Sequence, residues 1–241
     1  MWSGATYERV AETFVPIHAR VVDALSPRSG ERFLDLACGT GDMAILAAKA
    51  GAEVTGLDIS ADQLEKARTA ATAVGVRVRF DEGDVQELPY EDASFDAVAS
   101  TFGLIFADSH ERVAGEVARV CQPGGRLAIT AWPSDEWWEL GSSLGRDYGP
   151  GDDARGWSRE DYVRGLLADS FELRFESGTW TIRAESPAAL WKLLSASVPP
   201  MRRWLEGLDP VKRADVEAAY VDFFAGGKLV RSYVLVLGTR R

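Results

Sequence analysis

Between Arg32 and Trp132, short apolar and β-branched runs alternate with stretches whose apolar side chains recur every three or four positions. Period two or unbroken apolar runs predict strands, and period 3.6 predicts helices. Five strands follow, at residues 32–37, 53–58, 77–82, 95–101 and 126–132. Such alternation selects a parallel sheet with helices on both faces, because a parallel neighbour is reached only through a crossover. Ahead of the first strand, Val10, Phe14, Ile17, Val21, Val22 and Leu25 line one face of a helix from Tyr7 to Leu25, which Ser26-Pro27 ends. Ser60 with Gln63, and Asp108 with Glu111, have capping-box spacing at two helix starts. Pro123-Gly124-Gly125 reads as a turn that stops one helix and launches the fifth strand.

Past Trp132 the pattern loosens. Residues 133–156, rich in Gly, Asp and Trp, read as a loop or short helical excursion, the expected lid. A helix is expected from Ser158 to Ala168 and a strand over 172–184. Ser186-Pro187 and Asp209-Pro210 each place a capping side chain before a proline at a first helical position. The last helix ends at Gly226-Gly227, and residues 229–237 close the chain as an apolar strand. The passage from Ser186 to Phe224 exceeds what a crossover needs and is assigned to the ligand side or to a homodimer contact.

Composition narrows the function classes. Of 241 residues, 46% are hydrophobic and 27% charged, which is a globular composition and not a disordered one. The formal net charge of −10 argues against nucleic-acid partners, which need a concentrated basic face. No secretory leader and no membrane-spanning run is visible. Two cysteines, Cys38 and Cys121, make neither a disulfide framework nor a metal cluster, so a cytoplasmic location and no metal are expected.

The chemistry concentrates at the predicted strand ends. Phe33 to Asp42 (FLDLACGTGD) is an apolar strand entering a glycine turn and then a helix. Gly39 and Gly41 let a ligand approach the backbone, and N–H groups at a helix start hold anionic groups. On its own such a turn equally serves as a tight strand-to-helix connection. The second strand ends at Asp58, whose carboxylate can accept both hydroxyls of a ribose or else help start the next helix. The third ends at Gly83-Asp84-Val85, where Asp84 can accept from an amino group or brace a turn. Acidic and glycine sites at successive parallel strand ends form the crevice in which open α/β sheets bind ligands.

The segments FLDLACGTGDMA, VTGLDIS, FDEGDVQELPYEDASFDAV and VARVCQPGGRLAITAW resemble class I S-adenosylmethionine-dependent methyltransferases, especially the ubiquinone and menaquinone biosynthesis subgroup, over about residues 31–132. The resemblance implies a Rossmann-like, doubly wound α/β fold of seven strands, the last antiparallel, with helical additions on the substrate side. It implies one methyltransferase domain over 1–241: a helical cap (1–30), a cofactor-binding core (31–132), and the last two strands with substrate-side additions (133–241). It implies S-adenosylmethionine as cofactor and a small molecule as substrate. Asp35, Ala37, Gly39 and Gly41 would surround the methionine part, Asp58 the ribose, Ile59, Asp84 and Val85 the adenine, and the Thr101 backbone the ammonium group. The family often has Gly where this chain has Ala37, a change expected to alter packing more than binding.

Two other readings stay open on the residues alone. Gly39-Thr40-Gly41-Asp42-Met43-Ala44 also satisfies the loose dinucleotide fingerprint of an NAD(P)-dependent oxidoreductase, although such a site requires neither Asp35, Gly83-Asp84 nor the Pro-Gly-Gly turn. A non-catalytic nucleotide-binding module is the third. Methyl transfer to a phenol or activated carbon gains from a positioned base. His110, near the cofactor end of the sheet, and Tyr7, on the first helix, are the candidates; otherwise His110 is an exposed first-turn imidazole and Tyr7 a packing residue. His18 reads as a packing residue. Trp132, Trp137 and Trp138 follow the fifth strand, where with Tyr7 they can border an apolar acceptor pocket or serve as core.

Overall fold

The computed structural model describes residues 9–146 and 156–241, with two compact units among them. The larger holds residues 15–133, 156–178 and 233–241; the smaller holds 9–14, 134–146 and 179–232. Seven strands occur: β1 (Arg32–Leu36), β2 (Glu53–Asp58), β3 (Val78–Glu82), β4 (Phe95–Thr101), β5 (Cys121–Ala131), β6 (Phe171–Arg183) and β7 (Lys228–Arg240). The α-helices are α1 (Val15–Leu25), α2 (Asp42–Lys49), α3 (Ala61–Ala73), α4 (His110–Val120), α5 (Glu136–Ser143), α6 (Glu160–Leu167), α7 (Pro187–Ser197), α8 (Pro199–Glu206) and α9 (Pro210–Phe223).

The sheet runs β3-β2-β1-β4-β5-β7-β6. The first five strands are parallel, and β7 lies antiparallel to β5, with Ala131 opposite Val234. Four of the five residues of β1 are buried, as a strand covered on both faces requires. Leu34, Leu36, Val98, Leu127, Ile129 and Val236 meet Val113 and Val117 of α4 and Val163 and Leu167 of α6 in one apolar core. From β1 the chain moves outward to β2 and β3, then returns to place β4 on β1's other side. The crevice at this reversal of strand order is where such sheets bind ligands.

Several local expectations change. Ser60 starts α3 without capping it through its hydroxyl, and the buried Gln63 side chain has no hydrogen-bond partner. Gln63 turns inward instead of reaching back, and Asp58 Oδ1 accepts from the Ser60 amide at 2.9 Å. The cap of α4 is Ser109, one residue past the expected Asp108; its Oγ accepts from the Arg112 amide. Pro123-Gly124-Gly125 is a bulge inside β5, whose pairing with β4 jumps from Phe95–Cys121 to Ala97–Arg126. Gly124 at φ +76° and a crowded Gly125 allow it. Helix α6 starts at Glu160, two residues late. The lid expectation divides: residues 136–143 form α5, and 147–155 lie outside the described residues.

Arg119 of α4 fixes the approach to β4. Its guanidinium donates to the Leu88 and Tyr90 carbonyls and pairs with Glu116 and Asp92, while Glu116 accepts from the Leu88 amide. In the smaller unit, Ser186 caps α7 and Asp209 caps α9, each followed by proline as expected. Its interior is aromatic: the Tyr220 ring lies 5.0 Å from Trp137 and 5.1 Å from Trp191, with Phe224 alongside. Among the described residues no helix is long and apolar enough to cross a membrane, and no group of three or more His, Cys, Asp or Glu is placed to hold a metal.

Candidate functional site

The turn after β1 is built from backbone conformations that side chains resist. Ala37, Gly39 and Gly41 have φ of +54°, +53° and +79°. Left-handed backbone costs a non-glycine residue about 1–2 kcal/mol, so glycine is the natural occupant of all three positions and Ala37 carries strain. The Ala37 methyl lies against the backbone of Gly103 after β4: a Cβ at Gly103 would stand 2.3 Å from it. The two turn glycines divide their tasks. A Cβ on Gly41 would meet the Phe80 ring at 2.9 Å and Ala67 at 3.0 Å, so its bareness serves the packing of sheet on helix. A Cβ on Gly39 would meet none of the described residues within 4 Å. Of the two, Gly39 is the one with open space where a Cβ would stand.

Asp58 closes the turn. Its Oδ2 accepts from the Gly39 amide at 2.9 Å and its Oδ1 from the Ser60 amide at 2.9 Å. A carboxylate has about four acceptor sites, so capacity for two further donors remains. Beside it Ile59 is 73% exposed, a large apolar side chain at the tip of β2. Asp84 accepts from the Gln86 amide at 2.8 Å and from the Gln86 side chain, whose Oε1 accepts from the Ser109 amide. Val85 is half-buried next to it. Gln86, which sequence reading passed over, thus ties the exit of β3 to the start of α4. Thr101 ends β4 with its Oγ1 3.4 Å from Met43 Sδ of α2.

Asp35 lies under the turn, 1% exposed, with Oδ2 unpartnered. Burial pushes its carboxyl well above the usual range; the Ala44 amide opposes this, and the charges of Asp58 and Asp42 reinforce it. Burial likewise pushes the Cys38 thiol up, with Asp35 and Asp58 adding, so Cys38 packs near Gly56 and Phe80 as a protonated side chain. His18 of α1 has a sealed Nδ1 and is pushed down to about 4 by burial, which the nearby Asp42 partly offsets.

His110 is 3% exposed, contrary to the exposed imidazole that its first-turn position suggested. The polypeptide after residue 155 covers it: Nδ1 lies 3.1 Å from the Tyr162 hydroxyl, and the Trp157 ring is 5.4 Å away. Tyr7 lies outside the described residues. Trp132 belongs to the larger unit, stacked on Phe102; Trp137, buried, and Trp138, half-buried, belong to the smaller.

Residues 34–129 match the family model described as a methyltransferase domain. An uncharacterized protein of Mycobacterium bovis is 36% identical over 189 residues, covering 76% of this chain and 69% of that protein. The chain belongs to the S-adenosylmethionine-dependent methyltransferases. The demethylmenaquinone methyltransferase of Thermus thermophilus is 43% identical over 116 residues, 47% of this chain and 53% of that one. The YcgJ protein of Bacillus subtilis superposes with a TM-score of 0.66 at 20% identity, covering 93% and 97% of the two chains, a likeness of fold. The class I methyltransferase fold and S-adenosylmethionine as cofactor follow, and the nicotinamide alternative finds no support in these likenesses. The methyltransferase's own residues suit that cofactor. Open space faces Gly39, Asp58 keeps lone pairs for a diol, Ile59 offers an apolar face, and the buried Asp35 Oδ2 has no partner.

Proposed function

We propose that this methyltransferase acts on a small-molecule acceptor in the cytoplasm, with its cofactor seated across the ends of β1, β2, β3 and β4. The observation that carries the reading is the hydrogen bond from the Gly39 amide to Asp58 beside open space at the reversal of strand order. Asp58 binds the ribose hydroxyls, Ile59 packs on the adenine, and Asp84 and Val85 meet its edge, where Asp84 receives the amino group. Asp35, Ala37, Gly39, Gly41 and the Thr101 carbonyl surround the amino-acid end. Bound S-adenosylmethionine supplies an electrophilic methyl group on a sulfonium. The chain's part is orientation: holding the acceptor in line can contribute roughly 7–11 kcal/mol toward the barrier.

Three facts support a small acceptor in the cytoplasm. The net charge of −10 opposes phosphate-backbone binding. The Thermus relative is named for demethylmenaquinone. Both cysteines are free thiols. For an acceptor that must lose a proton, His110 beside Tyr162, and Tyr7, are the candidate bases. Calorimetry with S-adenosylhomocysteine tests the seat: one site per chain is expected, and Asp58→Ala should weaken it by about 1–3 kcal/mol. No binding by folded protein overturns the reading.

A further inference from the structure

Between β3 and α4 one side chain faces two ways. Gln86 lies two residues past Asp84, half-buried like it, where the chain leaves β3 through Gly83. Asp84 Oδ1 accepts from the Gln86 main-chain amide at 2.8 Å, the turn that an aspartate makes with the amide two residues on. The Gln86 side chain then returns over the same carboxylate: its Nε2 stands 3.2 Å from Oδ1 and 3.1 Å from Oδ2. Its other polar atom reaches the start of α4, where Oε1 accepts from the Ser109 amide at 2.8 Å.

The direction of that side-chain amide is dictated by its partners. A main-chain N–H only donates, so the glutamine oxygen must face Ser109 and the nitrogen must face Asp84. Ser109 is itself held in place: its hydroxyl caps α4 by accepting from the Arg112 amide at 3.2 Å, and its carbonyl accepts from the Val113 amide at 3.2 Å. The rigid start of a helix thus sets which end of the Gln86 amide meets the carboxylate. Among the described residues, Asp84 Oδ1 has two donors and Oδ2 has one, all from Gln86. A carboxylate has about four acceptor positions, so the one that remains lies on Oδ2.

We propose that Gln86 is a positioning residue for recognition of the cofactor's base: by donating to both oxygens of Asp84 it fixes the plane of the carboxylate and presents the remaining Oδ2 lone pair to the exocyclic amino group of adenine. This rests on the reading above that Asp84 receives that amino group. A purine with hydrogen in place of the amino group leaves Oδ2 without its partner, a loss of roughly ten- to hundredfold in affinity. A carboxylate held through one oxygen only must be ordered by the ligand itself, which weakens binding of the adenine form roughly three- to tenfold and leaves the hydrogen form as it was. Gln86 acts on the base through Asp84, without touching it.

The test compares S-adenosylhomocysteine with its analogue bearing hydrogen in place of the exocyclic amino group, by calorimetry on the full chain. Wild-type protein should bind S-adenosylhomocysteine roughly ten- to hundredfold tighter, and Asp84→Ala should lose that preference. Gln86→Met keeps the side chain's length and removes both of its polar contacts. Gln86→Glu keeps the acceptor toward Ser109 and turns the donor toward Asp84 into a second acceptor. Both should lower the preference roughly three- to tenfold, through weaker binding of S-adenosylhomocysteine with the analogue's affinity unchanged. A preference intact in either variant, or affinities for the two ligands that fall together, means that Gln86 only braces the loop and overturns the proposal. Should neither variant fold, NMR of wild-type protein decides, since Gln86 is one of three glutamines in a chain without asparagine and its side-chain amide is resolved. That resonance should move further with S-adenosylhomocysteine than with the analogue; equal movement overturns the proposal. Wild-type protein that binds neither ligand, binds both equally, or keeps the preference in Asp84→Ala overturns the underlying cofactor reading and the proposal with it.

Discussion

Two glycines two residues apart should respond differently to the same added methyl group. Gly41→Ala adds the left-handed penalty of about 1 kcal/mol at φ +79°. Its Cβ also arrives 2.9 Å from the Phe80 ring and 3.0 Å from the Ala67 methyl. Phe80 is 7% exposed and Ala67 is fully buried on α3, so neither yields without moving sheet or helix, and overpacking of this kind costs about 1–3 kcal/mol. The sum is about 2–4 kcal/mol of stability. Gly39→Ala carries a similar backbone penalty at φ +53° but collides with nothing, so its stability cost is about 1 kcal/mol. Its methyl group points into the space given to the cofactor, so S-adenosylhomocysteine affinity should fall at least tenfold. Urea unfolding of the larger unit's signal, and calorimetry at pH 7.5, about, measure the two quantities. Equal stability losses, or undiminished cofactor affinity in Gly39→Ala, would refute the division of tasks.

Other consequences can be checked with the same preparations. His18 is pushed from 6.5 to about 4, so its folded form binds fewer protons. Its stabilising contribution is full above pH 6.5 and declines as pH falls toward 4, by about 3 kcal/mol in all. His18→Gln should flatten that acid limb, and proton NMR of a chain with two histidines reads the shift directly. The Asp35 carboxyl is shifted upward, so the sign reverses: the cofactor-free protein loses stability as pH rises from the ordinary carboxylate range, and Asp35→Asn should gain on wild type in melting temperature toward alkaline pH. Trp137→Ala should cost about 3–5 kcal/mol by opening a cavity beside Tyr220 and Phe224, while leaving S-adenosylhomocysteine affinity unchanged in protein that remains folded.

What was legible in the sequence was what local periodicity decides. Strands β2 and β4 have the boundaries that apolar pattern and flanking turns predicted, and Ser186-Pro187 and Asp209-Pro210 start their helices because a cap and a first-position proline act within four residues. The parallel order followed from alternation, and the reversal between β1 and β4 made strand ends the natural place for Gly39, Asp58 and Thr101. What was not legible depends on partners distant in the chain. Whether a glycine's missing side chain faces ligand or protein is settled by Phe80 and Ala67, tens of residues from Gly41. His110 is buried because Tyr162 and Trp157 cover it, and Gln63 loses its capping role because its side chain turns inward. Phe102 shows the same limit most sharply: in the sequence TFGL its ring is one more apolar residue after a strand. Its positive φ and its parallel stack on Trp132, thirty residues later, exist only once β4 and β5 are paired. The glycine turn and its positive-φ positions are read from sequence because the segment that forms them is contiguous. Contacts assembled from separate strand tips, such as the stack of Phe102 on Trp132, have no such local signature.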